Sequence, residues 1–179
     1  MSTRKQIEKL FIKHHFGDFR WINPQDIVVS QWVRMKCMFG CNEYGKNACC
    51  PPNTPSVGEC RNFFADYTEG VVFHFEKKLK KPEERHEWTK IISEKLLSLE
   101  REVFLAGNQK AFLLVMDSCN ICENCAKERT KCKNKRSARP TPEAMAVDVF
   151  STVRRLGYPI KVLRDYSKTM NRYAFLLVK

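Results

Sequence analysis

Apolar residues recur every third or fourth position in several stretches of this chain, and in others they alternate with polar ones or run together. Ile7, Leu10, Phe11 and His14 share one face of a helical net, so residues 4–15 read as an amphipathic helix. Ser56 and Glu59 have the spacing of a capping box and start a second helix running to about Tyr67. Pro82 opens the longest helix, whose stripe of Trp88, Ile92, Leu96, Leu99 and Val103 continues until Gly107. A last helix begins near Pro142, with Met145, Val149, Val153 and Leu156 inward and Gly157 as its stop.

Between these lie segments with the β-branched and aromatic character of strands. They are residues 26–36 (DIVVSQWVRMK), 71–75 (VVFHF), 111–116 (AFLLVM), 160–163 (IKVL) and 172–179 (RYAFLLVK). Strands that alternate with helices predict an α/β fold with at least one right-handed parallel crossover, and the last two strands read as a closing hairpin. The expectation is one α/β domain over residues 1–179, a mixed β-sheet with helices packed on it. Two cysteine-rich loops, about 37–52 and 119–132, follow strand ends and meet at one sheet edge.

Composition narrows the class without naming a reaction. Hydrophobic residues make up 43% and charged residues 29% of the 179 positions, which is globular rather than disordered. No apolar run is long enough for a membrane helix, and the charged N-terminal stretch lacks a signal peptide's apolar region, so the expected location is the cytoplasm, away from membranes. A net charge of +12 and a pI near 9.4 suit an anionic partner, although lysines that merely solvate the surface give the same totals.

Nine cysteines change the picture more. In a reducing compartment a dense, odd-numbered set favours metal binding or catalysis over disulfides. The second loop reads Cys119-x2-Cys122-x2-Cys125-x6-Cys132, and the steps of three suit successive thiolates wrapping an iron–sulfur cubane. Zinc sites more often use two separate Cys-x2-Cys pairs. The first loop supplies Cys37, Cys41 and the doublet Cys49-Cys50 before Pro51-Pro52. Neighbouring cysteines rarely share one metal, so Cys50, stiffened by Pro51, is the expected ligand and Cys49 a buried or spare thiol. Cys60 falls on a helix and reads more readily as a small core residue than as a fourth ligand. Three ligands from the first loop would leave one iron of a cubane open to a substrate atom.

The stretches KCMFGCNEYGKNACCPPNTPSVGECRNFFADY, CNICENCAKERTKC and PEAMAVDVF, spanning about residues 30–157, resemble the family of predicted metal-binding, iron–sulfur proteins of anaerobic bacteria and methanogenic archaea. The resemblance implies cluster ligation by Cys37, Cys41, Cys50, Cys119, Cys122, Cys125 and Cys132 in an anaerobic redox setting, and it implies no particular reaction. The doubled cysteine departs from that pattern. So does the basic insert KNKRSAR between Cys132 and Pro140.

The expected cofactor is thus one or two [4Fe–4S] clusters, with zinc as the alternative. The expected partner is a redox protein or a small-molecule substrate. Residues 127–139 carry seven basic residues against one acid; they could dock an acidic electron donor or, in the alternative reading of a zinc-stabilised nucleic-acid-binding module, contact phosphates. None of the four histidines has ligand spacing to a cysteine.

Overall fold

The computed structural model describes residues 2–165 and 168–179. Its elements are α1 (Arg4–Lys13), β1 (Phe19–Ile22), α2 (Gln31–Gly40), α3 (Val57–Ala65), β2 (Gly70–Lys77), α4 (Glu84–Leu105), β3 (Phe112–Leu114), α5 (Val149–Arg155) and β4 (Met170–Leu177). Short 3-10 turns precede α2 and α5. The four strands form one sheet in the order β1-β2-β4-β3.

Side chains alternate across this sheet. Val71 and Phe73 of β2, Leu113 of β3 and Ala174 and Leu176 of β4 face α1 and α4, where they pack on Ile7, Phe11, Leu96, Leu99 and Val103. Val72, Leu114, Phe175 and Leu177 face the other way, onto Phe64 of α3 and Val149 and Val153 of α5. Helices cover both faces, so the strands read as continuous apolar runs rather than as alternating ones. The α/β class therefore holds.

The expected parallel pairing does not. Every strand pair is antiparallel. Both β2 and β3 run antiparallel to β4, so they share a direction, and the strand–α4–strand crossover is real but split by β4 lying between its two strands. That placement also removes the predicted hairpin. Both edges of β4 are already bonded, to β2 and to β3, so residues 160–163 cannot pair with it and form no regular structure.

Two further corrections concern the ends of elements. Residues 26–36 are not one strand: Val28 and Val29 are extended, with a single bridge from Val29 to Val147, and Ser30 then starts α2. The β-branched pair is spent before Ser30, and the residues after it, Gln31, Trp32, Arg34, Met35 and Lys36, are mostly good helix formers. The first cysteine loop consequently leaves a helix, not a strand. The helix expected from Pro142 is interrupted, because Ala146 adopts a left-handed conformation (φ 60°) and Asp148 caps a new helix by accepting a hydrogen bond from the Ser151 N–H at 3.0 Å. The capping box at Ser56 and Glu59 forms as read, and the stripe on α4 is buried at Leu96, Leu99 and Val103. Strand β1, whose four residues are too few to show a period, pairs with β2.

Candidate metal centre

The two cysteine loops lie against each other. Asn47, buried in the first loop, accepts the Cys49 N–H on Oδ1 at 2.9 Å and donates from Nδ2 to the Cys119 carbonyl at 2.7 Å. Asn53 donates to the carbonyls of Asn47 (3.2 Å) and Lys127 (2.7 Å). An amide side chain both donates and accepts, so each asparagine joins turns that have no helix or strand to satisfy their backbone groups. Sequence reasoning overlooked both residues; their position inside a cysteine-rich, turn-rich stretch was the available signal.

The cysteine doublet divides between two groups. Cys49 is buried and packs with Cys132, Ala48 and Ala138, with Cys119 and Cys125 against them. Together with Cys122 these thiols enclose a hollow of about 10 Å³. Hydrogen bonds converge on their sulfurs: the Ala48 N–H reaches Cys125 Sγ at 3.4 Å, the Asn134 amide reaches Cys122 Sγ at 2.9 Å, and Arg129 Nη1 reaches Cys49 Sγ at 3.9 Å. The Cys49 thiol donates to Cys119, which with the N–H groups of Ile121 and Arg139 and the Arg129 charge brings the Cys119 thiol down to about 6. Cys49, as the donor in that pair, is pushed up. Donors aimed at sulfur stabilise thiolate over thiol.

Cys37, Cys41 and Cys50 form the other group. Cys37 lies on the last turn of α2, one turn before Cys41 at its end, so the helix presents both on one face. Gly45, at φ +72°, donates to the Pro51 carbonyl at 2.9 Å and closes the loop that returns Cys50 toward them. Arg34 ties α2 down with bonds to Thr54 Oγ1 and to the carbonyls of Pro55 and Ala144, at 3.0, 2.9 and 3.0 Å. Burial, then the proximity of Cys41 and Cys37, pushes the Cys50 thiol up to about 12. Burial and Cys41 likewise raise Cys37, against the opposing pull of Arg34.

This second trio borders a cleft of about 350 Å³, while the Cys49 group does not. The far walls of the cleft come from the start of α4 (Arg85, His86), the chain leaving β3 (Met116, Asp117), α5 (Val149, Phe150) and β4 (Arg172, Tyr173). Glu143 also lines it. The exposed surface of Glu143 opens into the cleft, and the protein around it raises its carboxyl by desolvation.

Cys60 stands apart, fully buried in the core beside Phe64 and Tyr67, with its thiol 3.6 Å from the Pro55 carbonyl. The basic segment is partly structural. Arg129 holds the Lys135 carbonyl at 3.1 Å, and Arg139 pairs with buried Glu100 at 2.8 Å, while Lys127, Lys131, Lys133, Lys135 and Arg136 are exposed. His74 is bonded at both ring nitrogens, to Asp18 and Asn171. Among the described residues no three histidine, cysteine, aspartate or glutamate side chains gather about a point as ligands of a single ion do. The sulfurs stand around spaces instead.

The chain belongs to the family described as predicted metal-binding protein (DUF2284), whose profile matches residues 20–178. No curated protein and no solved structure matches it. Metal binding is the property predicted for that family, and the thiol-rich donor set, with hydrogen bonds already directed at sulfur, suits a thiophilic metal or cluster.

Proposed function

We propose that this chain is a cytoplasmic iron–sulfur protein that holds one or two [4Fe–4S] clusters and acts in electron transfer or in redox chemistry on a small molecule bound in the cleft. The observation carrying this reading is the division of the thiols, three on the wall of an open cleft and five around an enclosed hollow. Cys119, Cys122, Cys125 and Cys132 would hold the enclosed cluster, with Cys49 as a competitor for one position; Cys37, Cys41 and Cys50 would hold the one at the cleft. A bound cluster supplies one-electron steps, and a cubane held by three cysteines keeps one iron for a substrate atom.

The residues around the sulfurs have defined tasks. Asn134 and the Ala48 N–H hold sulfur orientation, and the Arg129 cation beside Cys49 favours the more negative, reduced state of anything those thiolates bind. The hollow of about 10 Å³ admits a cubane only as the loops part. These loops are turns joined by side-chain hydrogen bonds, the kind of structure that parts at least cost. Zinc sites more often use two separate Cys-x2-Cys pairs, a spacing the step-of-three run from Cys119 to Cys125 does not have.

Iron, acid-labile sulfide and zinc per chain, measured on protein purified without oxygen, test the proposal. About four irons with as much sulfide means one cubane and about eight means two. One or two zincs without sulfide would overturn it and favour the nucleic-acid-binding module, whose affinity for polynucleotides would then fall steeply with salt.

A further inference from the structure

The cleft contains a charged trio to which the thiols assign no task. Asp117 leaves β3 in a left-handed conformation (φ 59°) and sets its carboxylate between Arg85, from the first turn of α4, and Arg172, from β4. Arg85 Nε lies 3.4 Å from Oδ2 and Arg172 Nε lies 3.2 Å from Oδ1. The Asp117 side chain is 10% exposed, and both Nε atoms and Oδ2 are shielded from solvent without a hydrogen bond of normal geometry. Buried donors and acceptors left in this condition cost about 1–3 kcal/mol each, so their persistence calls for a reason.

Asp117 meets both guanidinium groups at Nε, and Glu143 stands near enough to Arg172 to feel its charge. Arg85 Nη2 lies 3.4 Å from His86 Nε2, and a guanidinium that gives one nitrogen to Asp117 keeps further donors with which to grip a second oxyanion. Glu43 and Glu143 also reach the cleft, as does Lys161. Glu43 belongs to the first cysteine loop, and Glu143 stands between the two sides, close enough to act on the Cys37 thiol and itself acted on by Arg172 and Asp117. Between the arginines and the sulfurs the walls are largely apolar, with Phe150, Ile160 and Leu163 among them. A volume of about 350 Å³ suits a small molecule.

We propose that the cleft binds a small organic acid, with its carboxylate gripped by Arg85 and Arg172 and its apolar body laid along Phe150, Ile160 and Leu163 toward Cys37, Cys41 and Cys50. The assignment rests on the reading of the cleft as the substrate site, and Asp117 is a positioning residue that holds the two guanidinium groups apart and in register. Carboxylate is favoured over phosphate because Glu43, Asp117 and Glu143 also line the cleft and repel a doubly charged group more than a singly charged one.

Ligand-observed NMR on the full chain, purified without oxygen, tests this with benzoate, phenylacetate and 4-methylpentanoate, each against its primary amide, and with phenyl phosphate. The expected result is at least one acid that binds at or below about 1 mM and tenfold or more tighter than its amide. Arg172→Gln and Arg85→Gln should each remove that preference, and Arg85, a third exposed on a first helical turn, serves if the first variant fails to fold. No acid preferred over its amide, a preference unchanged in a folded variant, or phenyl phosphate bound more tightly than every acid would overturn the proposal. Sulfide and zinc measured on the same sample separate the two readings. Acid binding by a zinc-loaded chain without sulfide would keep this inference and sink the redox one, and a cluster-loaded chain without acid preference would do the reverse.

Discussion

Cys49 and Cys50 are adjacent in sequence and fall into different groups of thiols. Cys50 joins Cys37 and Cys41 at the wall of an open cleft, while Cys49 turns inward to Cys119, Cys125 and Cys132 under a lid of turns. Burial and then neighbouring cysteines raise the Cys37 and Cys50 thiols, with Arg34 opposing at Cys37, whereas the enclosed group receives hydrogen bonds from an amide, a guanidinium and several backbone N–H donors. On the proposed reading, the shielded group with hydrogen bonds on its sulfurs would store and pass electrons. On the same reading, the group that borders the cleft would meet the substrate. The same loop supplies all three cleft thiols and one of the five enclosed ones.

Substitutions can break this contrast. The largest effect is expected from Cys122→Ser and Cys50→Ser: each should remove about four irons per chain if two cubanes are present, the first leaving the cleft centre and the second leaving the enclosed one. Loss of all iron in either variant would mean that the loops share a single cluster. Next comes Arg139→Met. Arg139 fastens the end of the second loop to buried Glu100, whose carboxylate also accepts the Leu113 N–H at 2.9 Å. Stranding that charge should cost about 3–5 kcal/mol, read as a lower midpoint in denaturant melts.

Asn47→Ala should cost about 1–3 kcal/mol by leaving the Cys119 carbonyl and the Cys49 N–H unmet, and should lower iron retention at the enclosed centre more than at the cleft. Equal loss at both would show that the asparagine merely supports the fold. The smallest effect on metal is expected from Cys60→Ser. A hydroxyl at this core site should destabilise by about 1–3 kcal/mol while iron and sulfide stay at the wild-type level; a fall in iron would make Cys60 a ligand.

Much of the scaffold was legible because its signals are local. The capping box at Ser56, the α4 stripe and the apolar runs of β2 and β4 depend on neighbours within a few positions. The second loop's step-of-three cysteines and the core character of Cys60 were legible for the same reason. The pairing of strands was not, because it depends on which edges remain free: residues 160–163 have strand character and cannot pair with β4, since it is bonded on both sides. Val28 and Val29 likewise suggested a strand that Ser30 ends.

The amino-acid order alone was enough to mark an α/β chain with two thiol-rich loops, since helix caps, apolar periods and cysteine spacings act over short distances. Which thiols stand together came from the packing of one loop on the other, where Asn47 and Asn53 fix the register and send Cys49 and Cys50 in opposite directions. The trio of Arg85, Asp117 and Arg172 has no counterpart in any local pattern. Its members come from α4, the end of β3 and β4, and only the packing of α4 against the sheet, with β3 beside β4, brings their charges within 4 Å.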